Sequence, residues 1–194
     1  MERVFLCLLY FWKKYDNNFV RHGETTSNAS EIITGRTEVE LSENGLKQAL
    51  IAAEALKNVE IDAIYCSPLK RTMHTCEIVN KNIGLPINYD NRILARDYGK
   101  FEGVRYCDMH GELNWNINVL ENGIDNEPII DMAKRVFEFI DFIKHQYGNK
   151  NVLVVSHSSV GKIFNCYFNG FPTDGNVFAK KIKNAEVVEF RFDE

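Results

Sequence analysis

The stretch Arg21-His22-Gly23-Glu24-Thr25, continued by Asn28, is the feature around which this sequence is organised. A guanidinium and an imidazole stand side by side and lead directly into a glycine turn. This pattern is typical of a chain that presents a nucleophile and a phosphate clamp at the end of a strand. It predicts that His22 becomes phosphorylated in a phosphoryl-transfer reaction, and that other segments supply further phosphate-binding groups.

Length, composition and charge indicate an ordinary globular protein. The chain has 194 residues, of which 45% are apolar and 26% charged, and we expect a single domain over residues 1–194. The formal net charge of -4 argues against a nucleic-acid partner, because nucleic-acid surfaces carry a basic footprint. A small phosphate ester is compatible with this charge, since it responds to a local cluster of Arg and His.

The cysteines and the N-terminus predict the environment of the protein. Five cysteines, an odd number without a C-x-x-C pair, indicate reduced thiols in the cytoplasm and no structural zinc. The apolar run Val4 to Trp12 is far shorter than the roughly 20 residues of a membrane span, and no small-residue cleavage site follows it. We therefore expect no membrane partner, and we interpret residues 1–17 as an atypical extension that packs on the domain. The oligomeric state stays open.

Alternating strand and helix patterns predict the fold class. Ser42 is expected to cap one helix, and Ser67 with Pro68 is expected to start another. We predict strands near residues 16–20, 61–66, 87–89, 152–155, 177–182 and 187–192, and helices near 46–56, 69–82, 108–120, 132–148 and 160–168. This order favours an α/β fold, a three-layer α/β/α sandwich with a mostly parallel mixed sheet that includes one antiparallel strand.

Three predicted strands end in residues that suit phosphate chemistry. Arg21 and His22 follow the first, Ser67 and Arg71 the second, and His157 the fourth. Ligands of open α/β sheets bind beyond the carboxyl ends of the strands. Two guanidinium groups and a second imidazole around the attacking imidazole would stabilise charge on a transferring phosphoryl group. Neither a metal nor another cofactor is expected, because the guanidinium pair neutralises the charge.

Four motifs, taken together and in this order, resemble the histidine phosphatase superfamily, in particular its phosphoglycerate mutase branch. The similarity extends over roughly residues 18 to 160. The motifs are Arg21-His22-Gly23-Glu24-Thr25-Thr26-Ser27-Asn28, then Thr34-Gly35-Arg36-Thr37 leading to Leu41-Ser42-Glu43-Asn44-Gly45, then Ser67-Pro68-Leu69-Lys70-Arg71, and finally Ser156-His157.

The resemblance implies a role for each matching residue. His22 would be the phosphorylated nucleophile, and Arg21, Arg71 and His157 would complete the catalytic phosphate pocket. Glu127 loosely matches a Gly-Glu-Ser segment near the pocket in many relatives. The positions implied to bind substrate are Asn28, Thr34, Gly35 and Ser158.

One position departs from the family pattern. Relatives usually read Leu-x-Glu-Arg-x-Tyr/Phe-Gly, in which the glutamate protonates the leaving oxygen, and this chain carries Ala95 there. Three readings are open: a neighbouring acid, Asp97 or Glu102, takes over; the protein prefers substrates with good leaving groups or only binds phosphate esters; or the alanine was introduced by engineering.

The sequence favours a phosphomonoesterase of small phosphorylated metabolites over two alternatives. A cofactor-dependent phosphoglycerate mutase resembles longer chains with an added basic segment, whereas Arg105 is the only Arg or Lys between Gly103 and Asp131. The second alternative is a weakly active or non-catalytic phosphate-ester binder, which Ala95 alone supports.

Overall fold

A computed structural model describes residues 16–109, 115–119, 126–148, 150–179 and 181–192. The apolar run Val4 to Trp12 lies outside the described residues, so the interpretation of residues 1–17 as an extension stays a prediction. In the described part the elements follow the order β1 (Asp16–Arg21), α1 (Thr26–Ala29), α2 (Glu43–Leu56), β2 (Ala63–Cys66), α3 (Lys70–Asn80), β3 (Ile87–Tyr89), α4 (Ile129–Tyr147), β4 (Val152–Ser156), α5 (Ser158–Asn169) and β5 (Val187–Arg191).

The described strands form one five-stranded sheet in the order β3-β2-β4-β1-β5. Strands β3, β2, β4 and β1 run parallel, and β5 pairs antiparallel with β1 at the edge. Every residue of the central strand β4 is buried, as expected for a strand that helices cover on both faces. The predicted mostly parallel mixed sheet with one antiparallel strand is confirmed.

Helices cover both faces of the sheet and create two separate apolar layers. Because successive strand residues point to opposite faces, Phe19 joins the layer packed under α4 and α5, and Val20 joins the layer packed under α2 and α3. Val154 and Val155 of β4 divide in the same way. Burying such a side chain fully contributes about 1.5 to 3 kcal/mol. The three-layer α/β/α sandwich is confirmed.

The predicted start of α2 is confirmed, and α3 starts close to the predicted residue 69 but without the predicted Ser67 cap. The Ser42 side chain accepts a hydrogen bond from the Gly45 backbone N–H, as an N-cap does. Helix α3 begins only at Lys70, and its cap position, Leu69, provides no side-chain hydrogen bond. The predicted Ser67 cap is wrong because the Ser67 hydroxyl lies 2.7 Å from Nε2 of His157.

Two other predicted elements are also corrected. Residues 177–182 do not form a strand: Val177–Ala179 is a turn of 3-10 helix, and the Val177 N–H donates to the carbonyl of Trp115 rather than to a strand. The helix expected near 108–120 is a 3-10 turn at Tyr106–Met109, and Asn116 forms an isolated bridge with Asn176. Residues 110–114 and 120 lie outside the described part. No described helix is both long and apolar enough to cross a membrane.

Two glycines fix the turn after β1 against the start of α2. A Cβ atom on Gly23 would lie 2.4 Å from the Gly45 carbonyl oxygen, and a Cβ on Gly45 would lie 2.0 Å from the Glu24 carbonyl oxygen. The backbone of Glu24 also accepts a hydrogen bond from the Ser42 N–H at 2.9 Å. The turn that carries His22 therefore packs backbone to backbone on α2, at a distance that only glycine permits.

We predict that Gly45→Ala destabilises the protein by about 1 to 3 kcal/mol, the usual range for overpacking. In an unobstructed helix the same substitution stabilises by up to about 1 kcal/mol, so the sign of the change is diagnostic. Urea unfolding followed by circular dichroism measures the effect. The neighbouring exposed residue provides a matched control, Asn44→Ala, which is expected to change stability little. A Gly45→Ala protein as stable as the parent would contradict the close contact.

Candidate active site

The carboxyl ends of β1, β2 and β4 meet at one edge of the sheet and bring the predicted residues together. Arg21 is the register partner of Ser156, and the His22 N–H donates to the Ser156 carbonyl at 2.9 Å. The rings of His22 and His157 lie 5.3 Å apart between centroids. Arg71 reaches the same place from the first turn of α3. The fold thus brings together residues that lie up to 136 positions apart in the chain.

His22 is held as a neutral imidazole with one free nitrogen. Its Nδ1 lies 2.7 Å from the Gly23 carbonyl oxygen. A carbonyl can only accept, so Nδ1 carries the proton and Nε2 keeps its lone pair. Burial, together with the nearby charges of Arg71 and Arg21, lowers the pKa of His22 well below its usual value. The ring is therefore uncharged at neutral pH, with its proton on Nδ1 and a nucleophilic Nε2.

His157 is the second buried imidazole, and it precedes the first residue of α5. Its Nε2 pairs with the Ser67 hydroxyl at 2.7 Å, and its Nδ1 is buried with no hydrogen-bond partner among the described residues. Burial, Arg71 and His22 lower the pKa of His157 well below its usual value. A buried unsatisfied nitrogen costs about 1 to 3 kcal/mol, and an oxygen of a bound phosphoryl group is one atom that would satisfy it.

Arg21 and Arg71 supply buried positive charge that no described carboxylate neutralises by direct contact. The Arg21 guanidinium donates to the Ile182 carbonyl at 2.8 Å. Arg71 donates to the carbonyls of Gly35 at 2.6 Å and Thr37 at 3.0 Å. Burial lowers the pKa of Arg71 to about 10, so it stays charged at neutral pH. Among the described residues these two buried guanidinium groups donate to carbonyl oxygens, an arrangement that suits an anionic ligand.

Three of the predicted substrate-binding residues lie next to this cluster: Gly35 accepts from Arg71, Ser158 follows His157, and Asn28 is joined to the His22 carbonyl through Asn184. Gly35 is buried, and a Cβ there would lie 2.2 Å from Oε1 of Glu102. The Asn28 side-chain oxygen accepts from the Thr25 N–H at 3.2 Å, which leaves its amide nitrogen for a ligand. Thr34 and Ser158 are half-buried, and Ser158 is the first residue of α5.

Two supporting residues were not identified from the sequence. Thr75 accepts a hydrogen bond from the Gly23 N–H at 3.0 Å and donates to the Arg71 carbonyl at 2.7 Å. Asn184 donates to the His22 carbonyl at 3.2 Å and to Oδ1 of Asn28 at 3.1 Å. Thr75 lies on a helix face and Asn184 in a turn, and neither has a local signal that distinguishes it from an ordinary polar residue.

Both candidate acids, Glu102 and Asp97, accept hydrogen bonds in the structure. Glu102 accepts from the backbone N–H groups of Arg36 and Thr37, both at 2.7 Å, and from the Thr37 hydroxyl. Burial favours a higher pKa for Glu102, but these hydrogen bonds outweigh it and lower the pKa. Asp97 accepts from the Gly99 N–H at 2.8 Å and lies 3.5 Å from an Arg36 nitrogen. Ala95 itself is buried.

Glu127 supports the segment that contains Ala95. Its carboxylate forms a two-point ion pair with Arg135, with N–O distances of 2.5 and 2.7 Å. The same guanidinium donates to the carbonyls of Leu94 at 2.8 Å and Ala95 at 3.2 Å. Glu127 therefore acts through Arg135 as a positioning residue. Among the residues that the structure describes, no three His, Cys, Asp or Glu side chains cluster as metal ligands.

The two neutral histidines predict a pH dependence of stability. In the unfolded chain His22 and His157 bind protons near pH 6.5, whereas burial keeps them neutral in the fold. Below that pH the unfolded state binds more protons, so stability falls as pH decreases from about 7 to about 5 and is level above about 7. Each histidine contributes a slope of up to about 1.4 kcal/mol per pH unit.

Urea unfolding between about pH 5.5 and pH 7.5 measures this slope, and the range avoids most carboxyl titration. We expect His22→Asn and His157→Asn each to reduce the slope. His74→Asn removes an exposed imidazole outside the site and is the matched control. A slope that neither site variant changes would contradict the neutral pair.

Comparison with known proteins agrees with the fold and with the family resemblance of the sequence motifs. The family description "Histidine phosphatase superfamily (branch 1)" matches residues 18–194. The Bacillus subtilis strain 168 protein described as "Uncharacterized phosphatase PhoE" is 33% identical over 147 residues, which cover 72% of this chain and 70% of that protein. Phosphoserine phosphatase 1 of Hydrogenobacter thermophilus is 30% identical over 159 residues, covering 78% and 74% respectively. The solved structure of Bacillus stearothermophilus YhfR superposes with a TM-score of 0.82 at 26% identity and covers 92% of each chain. The chain belongs to the histidine phosphatase superfamily.

Proposed function

We propose that this protein is a cytoplasmic phosphomonoesterase that acts on small phosphorylated metabolites through a phosphohistidine intermediate on His22. The observation that carries the proposal is a neutral imidazole whose free Nε2 lies in a pocket with two buried guanidinium groups. A doubly negative phosphoryl group is the ligand that this charge distribution favours. A small-molecule phosphate ester is the proposed partner, and neither a nucleic acid nor a membrane is proposed.

The first step transfers the phosphoryl group to the enzyme. Nε2 of His22 attacks phosphorus in line, the bond from phosphorus to the ester oxygen breaks, and its electron pair leaves with that oxygen. Arg21, Arg71 and His157 donate to the equatorial oxygens, where charge is distributed in the transition state. In the second step water attacks phosphorus, and the electron pair of the P–N bond returns to Nε2. Inorganic phosphate is released.

Local charge favours hydrolysis over mutase activity, and relatives of this chain are named both as phosphatases and as phosphoglycerate mutases. The relatives reported above are named as phosphatases, and one is named for phosphoserine, a small phosphorylated metabolite. A mutase must hold a glycerate carboxylate near the phosphate. Arg105 is the only Arg or Lys between Gly103 and Asp131, and its side chain is exposed and bonded to Asp108 at 3.0 Å. This guanidinium is a poor candidate for that carboxylate.

Phosphate incorporation tests the proposal. We expect the protein to acquire an acid-labile, alkali-stable phosphate on His22 during rapid-quench incubation with 4-nitrophenyl phosphate, since phosphoimidazole has that stability. His22→Ala should abolish both the label and turnover, whereas the control His74→Ala should leave them unchanged. Turnover that survives His22→Ala would eliminate the mechanism. Ligand binding without any label would favour the non-catalytic binder.

A second assay separates the phosphatase from the mutase. We expect no conversion of 3-phosphoglycerate to 2-phosphoglycerate that depends on 2,3-bisphosphoglycerate, and we expect release of inorganic phosphate instead. Coupled enolase detection measures conversion, and a phosphate assay measures hydrolysis. If conversion to 2-phosphoglycerate exceeds phosphate release, the phosphatase proposal is rejected in favour of the mutase.

A further inference from the structure

In the first step of this reaction the departing ester oxygen needs a proton donor. An alkoxide leaves slowly unless an acid protonates it, and general acid catalysis typically contributes about 10² to 10⁴ in rate. The acid must be a group that holds a proton at neutral pH and can release it at the ester oxygen. The candidates are the ionisable side chains that the structure describes around the pocket.

The described carboxyl groups around the pocket already accept hydrogen bonds from the protein, so each has at least one oxygen engaged away from a substrate, and for Glu102 these bonds lower the pKa. Glu102 accepts from the Arg36 and Thr37 backbone. Asp97 accepts from the Gly99 N–H. Oxygens of Glu24, Glu38 and Glu127 are likewise engaged, by the Ser42 hydroxyl, the Lys70 N–H and the Arg135 guanidinium respectively.

Four further ionisable groups beside the pocket are also poor acids. His22 and His157 are neutral at the relevant pH, and the proton on Nδ1 of His22 is already donated to the Gly23 carbonyl. Burial raises the pKa of the Tyr98 hydroxyl, so it holds its proton tightly. Arg71, with a pKa of about 10, donates hydrogen bonds but gives up no proton at neutral pH.

Resting on the proposed function, we propose that this site selects phosphate compounds whose leaving group departs as a stable anion: acyl phosphates and phosphates of acidic phenols or enols. Nε2 of His22 attacks phosphorus, the P–O bond breaks, and the electron pair leaves on a carboxylate or phenolate oxygen that needs no proton. Water later takes the phosphoryl group from His22, and the proton it loses goes to bulk solvent. Alkyl esters, whose alkoxides require protonation, are slow substrates.

The dependence of rate on the leaving group tests this selectivity in the unaltered full-length chain. The kcat/KM values are measured for 2,4-dinitrophenyl, 4-nitrophenyl and phenyl phosphate, for acetyl phosphate and for O-phosphoserine. We expect a steep decline along the aryl series, and phosphoserine at least about 10² slower than 4-nitrophenyl phosphate. Acetyl phosphate distinguishes acyl from aryl preference. A shallow series, or phosphoserine turned over as fast as the aryl esters, would overturn the inference.

Substitutions at position 95 provide a second, independent readout. Ala95→Glu should raise kcat/KM for phosphoserine by about 10² to 10⁴ and change that for 2,4-dinitrophenyl phosphate by less than about tenfold. Ala95→Gln has the same size but no acidic proton, and it should leave the steep series unchanged. An equal gain with Gln, or an equal gain for all substrates, would overturn the inference. If Ala95→Glu does not fold, the series of the unaltered chain decides.

The two proposals fail in different ways. If His22 acquires no phosphate even from acetyl phosphate or 2,4-dinitrophenyl phosphate, the proposed function fails, and the selectivity fails with it. If His22 is labelled and the leaving-group series is shallow, the phosphohistidine mechanism stands and only the selectivity is rejected. A labelled His22 with a steep series supports both.

Discussion

The uncompensated charge of Arg21 and Arg71 is the constraint on which the rest of the site depends. A buried guanidinium without an anion is unfavourable by several kcal/mol. Here the protein offsets part of this cost with carbonyl oxygens, those of Gly35 and Thr37 for Arg71 and that of Ile182 for Arg21. Burial, together with the same positive charges, lowers the pKa values of His22 and His157 and keeps both rings neutral. The proposed phosphate ligand would supply the negative charge that compensates these guanidinium groups.

The sheet explains how such a cluster can be assembled from distant segments. Parallel pairing of β1, β4 and β2 sets their ends at one edge, so His22, His157 and Ser67 arrive together without long loops. Ser67 contacts His157 rather than capping α3, so this helix starts without a side-chain cap. At this position the hydrogen bond between Ser67 and His157 replaces the helix cap that serine commonly forms.

Much of this arrangement could be predicted from the sequence, and the failures have physical reasons. The amphipathic spacing in α2 and α4 and the apolar run in β4 identify those elements, since periodicity follows directly from burial. The strand expected at residues 177–182 is apolar for a different reason: Val177 and Ile182 pack under Trp115 and α5 instead of pairing with a strand. Short apolar runs do not distinguish these two outcomes.

The sequence predicted those site residues that follow the end of a strand. Arg21, His22, Arg71 and His157 are linked to strand ends by the motifs, so their convergence followed from topology. Asn184 was not predictable, because its contact with the His22 carbonyl spans 162 positions and depends on the turn before β5. The ionisation of Glu102 was also inaccessible, since it is set by backbone donors from another loop.

The hydroxyl of Thr75 has a consequence for the entropy of the reaction. It uses both its donor and its acceptor capacity to join the turn behind His22 to the backbone of Arg71. The proposed nucleophile and the proposed phosphate clamp are therefore joined by hydrogen bonds through one side chain, and their separation is established when the chain folds. A substrate that enters does not have to immobilise one relative to the other, so the orientational ordering required for attack is largely complete before binding.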